Sequence, residues 1–156
     1  MEVDLIKFLT NGDFGVLTIG DSKEKVIDEI GNPNDESIES SSNKIYKYGN
    51  VEITFGINDE IASIYIENEN TDTDNRIKVN NYEKMKSIEL FTLKEMLKFY
   101  KVKINREVFI NKEKKEGLLK LSNYVMVSFR ENVVTSFSIC DPSRFSFCFL
   151  SNWQLE

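Results

Sequence analysis

The chain has no histidine. Histidine is the commonest general base near neutral pH and the commonest ligand of zinc and copper, so its absence removes Ser-His-Asp, Cys-His and His-metal schemes together. An enzyme built on this sequence would have to work with carboxylates, lysines or tyrosines. Cysteine is scarce as well: Cys140 and Cys148 are the only two, eight residues apart. In a reducing compartment they read as buried free thiols rather than a disulfide. No run of apolar residues reaches the length of a membrane helix, and Met1 to Leu9 is too short and too acidic for a signal peptide. The expectation is therefore a cytoplasmic protein with no membrane partner.

Glycine-rich phosphate loops are also missing. Gly12, Gly15 and Gly20 are spaced wrongly for a P-loop or a dinucleotide fingerprint, and no Gly-Lys-Ser/Thr follows them. Asp72-Thr73-Asp74-Asn75 echoes the start of a calcium loop but lacks the glycine at position six and the glutamate at position twelve. No cofactor and no metal are expected. Asp28, Glu29, Asp35 and Glu36 could be tried as a glycosidase pair, but each lies in a polar stretch where nothing local would raise a carboxyl pKa. Lys112, Lys114 and Lys115 are interleaved with Glu113 and Glu116 in a chain of net charge −6, which reads as a solvated loop rather than a nucleic-acid site.

What is present is a core and a repeat. Apolar residues make up 40% of the 156, with 11 Phe and 6 Tyr, enough for one compact domain. The polar, serine-rich stretch Asp35 to Asn43 and the Asn/Thr/Asp/Glu run Asn68 to Asn75 read as exceptions, the second as a linker. Ser22 opens a helical stretch with Val26, Ile27 and Ile30 on one face, closed by Gly31 and Pro33. Strand-like runs follow at Lys44 to Tyr48, Val51 to Phe55 and Ile61 to Ile66. About 70 residues on, Thr92, paired with Glu95 as a capping box, opens a second stretch with Met96, Leu97 and Tyr100 in the same places. Runs at Leu118 to Leu121, Tyr124 to Phe129 and Val133 to Ile139 complete it. Asn50 and Asn123 hold the same hairpin position.

A period this long predicts duplication of one unit, an α+β fold made of a tandem pseudo-repeat of a helix plus antiparallel β-meander in a single domain. The units span about 14–67 and 88–150, with a linker at 68–75. Gly49-Asn50 predicts a two-residue hairpin in which Tyr48 faces Val51, Lys47 faces Glu52 and Tyr46 faces Ile53. On the third strand, Ala62, Ile64 and Ile66 should share one face and Ile61, Ser63, Tyr65 and Glu67 the other. A short helix is expected within Val3 to Thr10, and the alternating Phe145, Phe147 and Phe149 read as a further strand.

Charge divides at the repeat boundary. Residues 1–75 carry 5 Lys and Arg against 17 Asp and Glu, and residues 76–156 carry 15 against 9. A field of one sign over half a molecule steers a partner of opposite charge. Drift in a lysine- and glutamate-rich composition produces the same imbalance. If the asymmetry is functional, the contact residues are acidic side chains at turns and strand ends of the first unit. These are Asp59, Glu60, Glu67, Glu69, Asp72 and Asp74, with Tyr65 as an aromatic anchor.

The segment Phe14-Gly15, Gly20, Ser22, Val26, Ile30-Gly31, Pro33, Tyr46, Tyr48-Gly49, Val51-Glu52-Ile53 and Phe55 resembles a pattern found in small bacterial immunity proteins of polymorphic toxin and contact-dependent growth inhibition systems. It is also similar to the repeat unit of the beta-lactamase inhibitor protein and of small outer-membrane assembly lipoproteins, although the within-repeat disulfides and lipobox cysteine of those proteins are missing here. The resemblance implies a non-enzymatic, cytoplasmic protein that binds the C-terminal domain of a cognate toxin, a nuclease, and blocks it stoichiometrically. An adaptor that binds a host protein is the alternative.

Overall fold

The computed structural model describes residues 1–40, 43–56, 58–68, 74 and 76–144. In chain order the elements are β1 (Glu2–Asp4), α1 (Leu5–Asn11), α2 (Lys23–Ile30), β2 (Asp35–Ser40), β3 (Asn43–Tyr48), β4 (Val51–Phe55) and β5 (Ile61–Glu67). After these come β6 (Lys78–Asn80), α3 (Tyr82–Met85), α4 (Leu90–Phe99), β7 (Ile104–Asn111), β8 (Glu116–Leu121), β9 (Val125–Arg130) and β10 (Val133–Cys140). A short 3-10 turn spans Pro142–Arg144.

Eight strands form one antiparallel sheet in the order β2-β3-β4-β5-β10-β9-β8-β7, while β1 and β6 make a small parallel pair. The fold is thus a tandem pseudo-repeat: a helix and a four-strand meander (α2, β2–β5), then the same order again (α4, β7–β10), joined where the last strand of each unit pairs with the other.

Local chemistry accounts for the element ends. Asp4 accepts from the backbone of Ile6 and Lys7 at the start of α1, and Gly12, at φ 77°, ends it in the left-handed conformation that glycine adopts without penalty. Ser22 Oγ accepts from Lys25 N at 3.3 Å to cap α2. The β3–β4 hairpin has the expected register, with Tyr48 opposite Val51, Lys47 opposite Glu52 and Tyr46 opposite Ile53.

One hydrophobic cluster fills the space between the helices and one face of the sheet. It joins Leu5, Phe8 and Leu9 of α1, Val26 and Ile30 of α2, and Leu93 and Leu97 of α4 to Tyr48, Ile53, Phe55, Ile64, Ile66, Val127, Phe129 and Phe137. Ala62, Met126 and Cys140 are buried outside that cluster. On the face opposite the cluster one cross-strand row reads Lys47, Glu52, Tyr65, Ser138, Met126, Lys120 and Arg106.

Four expectations need correction. Each meander has four strands, not three: Asp35–Ser40, read as a polar exception, is β2, and Ile104–Asn111 is β7. Both are sheet edges, where polar and charged side chains are the rule, so neither shows the alternation of a half-buried strand. Ile61 belongs to the core with Ile64 and Ile66, because the β4–β5 register slips by one residue at Ala62 and turns Ile61 inward. Helix α4 starts at Leu90 with Glu89 at the cap position, so Thr92 lies inside the first turn and caps nothing. Asn68, assigned to the linker, is buried and donates to Met85 O at 2.8 Å and Val134 O at 2.9 Å. The strand expected around Phe145, Phe147 and Phe149 lies outside the described residues.

The helix correction resets the repeat. Ser22 corresponds to Glu89, Val26 to Leu93 and Ile30 to Leu97, all of the last four being core residues. The β-bulges match too: the register slip at Ala62 in β5 recurs at Thr135 in β10, so that Ser63 faces Thr54 and Ser136 faces Ser128.

Candidate partner-binding surface

The acidic residues singled out in the sequence do not form one patch. Asp59 and Glu60 lie in the β4–β5 turn, whereas Glu67 closes β5, a distance of about 20 Å along a seven-residue strand. Asp59 sits at φ 53° and pairs with Lys44 Nζ at 3.2 Å and Lys23 Nζ at 3.8 Å. Glu60 pairs with Arg144, which also holds Asp141 at 3.1 Å. Glu67 is half-buried opposite Ser136, and its backbone carbonyl accepts from Tyr82 OH at 3.1 Å and Asn50 Nδ2 at 3.3 Å. Glu69 and Asp72 lie outside the described residues.

Asp74 is buried, with a side chain 5% accessible. Arg76 grips it with Nε at 2.9 Å and Nη2 at 2.5 Å and donates its backbone N–H at 2.7 Å. The hydrogen bonds from the Arg76 side chain hold the Asp74 carboxyl below the usual aspartate range, against the opposing cost of burial. The same guanidinium lies over the Tyr48 ring, 5.2 Å from its centroid, and donates to Asn32 O. Tyr48 OH donates to Gly31 O at 2.9 Å, and burial pushes its pKa up to about 12. Asp74 is thus part of a clamp that ties Asp74 and Arg76 to the end of α2.

Tyr65 is half-buried in the middle of the sheet face away from the core, between Glu52 and Ser138 on the neighbouring strands. Lys47 pairs with Glu52 at 3.7 Å in the same row. The tyrosine therefore occupies the centre of a sheet face eight strands wide, with mixed charge to one side and Lys120 and Arg106 to the other.

Carboxylates without an ionic partner lie elsewhere. Glu24, Asp28 and Glu29 on α2 are exposed, as are Asp35 and Glu36 on β2, and no ion pair among the described residues involves any of them. Four of these, Asp28, Glu29, Asp35 and Glu36, were set aside in the sequence as a glycosidase pair because nothing local would raise a carboxyl pKa. Lysine or arginine side chains pair with Asp59, Glu60 and Asp74, and none among the described residues pairs with these. Residues 24 and 28 are one turn apart and share a helix face.

On α4 the equivalent of Asp28 is again an acid, Glu95, but the first turn carries different chemistry. Phe91 stands where α2 has Glu24 and is 72% exposed; Phe99, at the other end of the helix, is 79% exposed. A surface helix normally turns polar residues to water, and an exposed run of large apolar side chains marks a contact site. The two helices pack on the same face of the sheet, so that this layer carries unpaired carboxylates over the first unit and exposed phenylalanines, set among Glu95 and Lys98, over the second.

Among the described residues, no group of three His, Cys, Asp or Glu side chains is placed to hold a metal ion. No helix among them is long and apolar enough to cross a membrane. Cys140 is a buried free thiol.

No protein-family model matches the chain, and no curated protein matches it. Among solved structures it is similar to the crystal structure of a DUF4309 family protein, YjgB, from Bacillus subtilis. The two share 14% identity at a TM-score of 0.54, over 87% of this chain and 92% of that one. At that identity the likeness concerns the fold alone.

Proposed function

We propose that this chain is a cytoplasmic immunity protein that binds a cognate bacterial toxin domain, a nuclease, and neutralises it by stoichiometric occlusion without chemistry of its own. The observation that supports this reading is the polarised helix layer. Equivalent helices of a duplicated unit present unpaired carboxylates at Glu24, Asp28 and Glu29 in one copy and exposed phenylalanines at Phe91 and Phe99 in the other. Core packing requires neither set. Carboxylates free of internal partners suit the basic substrate cleft of a nuclease, where they stand in for phosphate charge. Aromatic side chains supply the apolar contact that slows dissociation. Asp59, Glu60 and Asp74 are consumed by Lys44, Arg144 and Arg76 and keep a structural role, so the acidic contact moves from turn residues to α2.

The test is co-expression with the reading frame immediately upstream, scored for growth rescue and co-purification. Toxicity of that product alone, relieved by this chain in a one-to-one complex, is the expected result. A non-toxic upstream product, with this chain bound instead to a housekeeping protein, would replace immunity with the adaptor reading.

A further inference from the structure

We infer that the exposed face of α4 is the apolar anchor of the toxin contact and fits an apolar groove rimmed by carboxylates on the partner protein. The inference rests on the immunity reading above and assigns it a surface. Phe99 and Tyr100 form an edge-to-face pair with ring centroids 5.2 Å apart at the C-terminal end of α4, and Tyr100 is 42% exposed. Phe91 extends the same exposed side toward the helix start. Lys98, Lys101 and Lys103 surround the aromatic pair in the sequence, all exposed, and no ion pair among the described residues uses any of them.

The duplication supplies an internal control. Glu24 and Asp28 occupy in the first copy the places of Phe91 and Glu95 in the second, so a helix at this position of the fold is stable with a polar outer face, and Phe99 lies in the further part of α4 that α2, ended by Gly31, does not have. The phenylalanines are therefore not needed to hold α4 on the sheet, a role that Leu93 and Leu97 perform from the buried side. Three exposed cations without an ion pair among the described residues, set around an aromatic tip, are complementary to carboxylates on a partner.

A protein surface suits this patch better than an anionic membrane. Glu95 sits on the exposed side of α4 between Phe91 and Phe99, and a lipid headgroup layer of negative charge would repel it, as it would the chain's net −6. A protein partner can place a donor opposite Glu95 and carboxylates opposite the lysines.

The experiment measures affinity of the purified upstream-encoded toxin domain for wild type, Phe91→Glu, Phe99→Ala and the triple Lys98→Glu, Lys101→Glu, Lys103→Glu, with Glu24→Lys as a comparison on α2. Far-ultraviolet circular dichroism and urea midpoints check that each variant folds. Phe91→Glu installs the residue that α2 carries at the equivalent place and serves where Phe99→Ala fails to fold. Loss of about thirtyfold or more for the phenylalanine variants is expected, mainly as faster dissociation. For the lysine triple, the expected loss is larger at low salt than at high salt. Wild-type affinity in both phenylalanine variants, with the toxin still bound, overturns the surface assignment alone. Absence of binding by the wild type overturns the immunity reading and this inference with it. Phe99-dependent sedimentation with vesicles of equimolar phosphatidylcholine and phosphatidylglycerol, or Phe99-dependent self-association, reassigns the patch and overturns the inference as well.

Discussion

Asp59 and Asn132 occupy the same place in the two halves of the molecule. Each is held at positive φ, 53° and 66°, and each backbone carbonyl accepts from the first N–H of a helix, Lys23 at 2.9 Å and Leu90 at 2.7 Å. In both halves the residue two positions on donates back to the residue before the helix cap: Ile61 N to Asp21 O at 2.8 Å and Val134 N to Ile88 O at 3.0 Å. A strained turn residue thus locks the helix of each unit to the start of its last strand.

Left-handed backbone costs a residue with a Cβ about 1 kcal/mol or more, and Asn and Asp tolerate it best after glycine. Asn132→Gly should therefore be near neutral, and Asn132→Ala should cost about 1 kcal/mol. Asp59→Ala should cost at least as much, since it also removes the pairs with Lys23 and Lys44. Urea unfolding of the four variants, including Asp59→Gly, checks this. Equal stability of the Ala and Gly forms at either site would show that the turn is not under backbone strain.

Asn68 joins the halves through its side-chain amide, which donates to Met85 O and to Val134 O, the latter 66 residues away. Replacing it by Leu leaves both carbonyls without this donor in a site 1% exposed. The expected loss is about 1 to 3 kcal/mol, chiefly from the donor lost at Val134 O, since Met85 O keeps the Ile88 N–H at 3.1 Å. A urea midpoint unchanged from wild type would mean that water replaces the amide and that the residue is not a structural tie.

Local chemistry was legible in the sequence and long-range chemistry was not. Gly49-Asn50 dictates its own turn, and the register from Tyr46 to Ile53 follows from two residues. Ser22 and Gly31 bracket α2 by the same kind of local rule. Thr92 failed as a cap because the first N–H of α4 is satisfied by Asn132 O, 42 positions further along the chain. Ile61 was assigned to the wrong face because one bulge at Ala62 reverses the alternation, and no composition signal marks it. β2 and β7 escaped because an edge strand does not need an apolar face. The ion pairs of the acidic set were hidden for the same long-range reason: Lys44 lies 15 residues from Asp59 and Arg144 lies 84 from Glu60, so the fold alone decides which carboxylates are paired.

Cys140 is buried, and its thiol pKa is pushed up to about 11 from an ordinary 9.0, chiefly by desolvation and further by the nearby Asp141. The thiolate is the reactive form, so at pH 8 the folded protein should hold about a hundredfold less of it than the unfolded chain. In a Cys148→Ser background, iodoacetamide should modify the native protein at least that much more slowly than the protein in urea. Equal rates in the two states would show that the site opens readily.

Acid sensitivity should centre on Asp74 and Asp141. Hydrogen bonds from the Arg76 side chain lower the first, and the Ser143 hydroxyl, followed by that residue's backbone N–H and the Arg144 side chain, lowers the second. A carboxyl whose folded pKa lies below its unfolded value contributes stability above the ordinary aspartate value of 3.8 and loses it as pH falls through the folded pKa. Stability should therefore be level from neutral pH down to about pH 5 and fall below pH 4, as the unfolded chain takes up protons that the folded one resists. Asp74→Asn removes one of these carboxylates and leaves Arg76 over Tyr48 without its counter-charge, so the variant should be less stable than wild type at pH 7. Because protonation costs the wild type the same interaction, that difference should shrink toward pH 3. Urea midpoints of both proteins at pH 7 and pH 3 measure it. A gap that stays constant over this range would mean that the Asp74 carboxylate is not the titrating partner of Arg76 and that the clamp owes its stability to the backbone bonds around it.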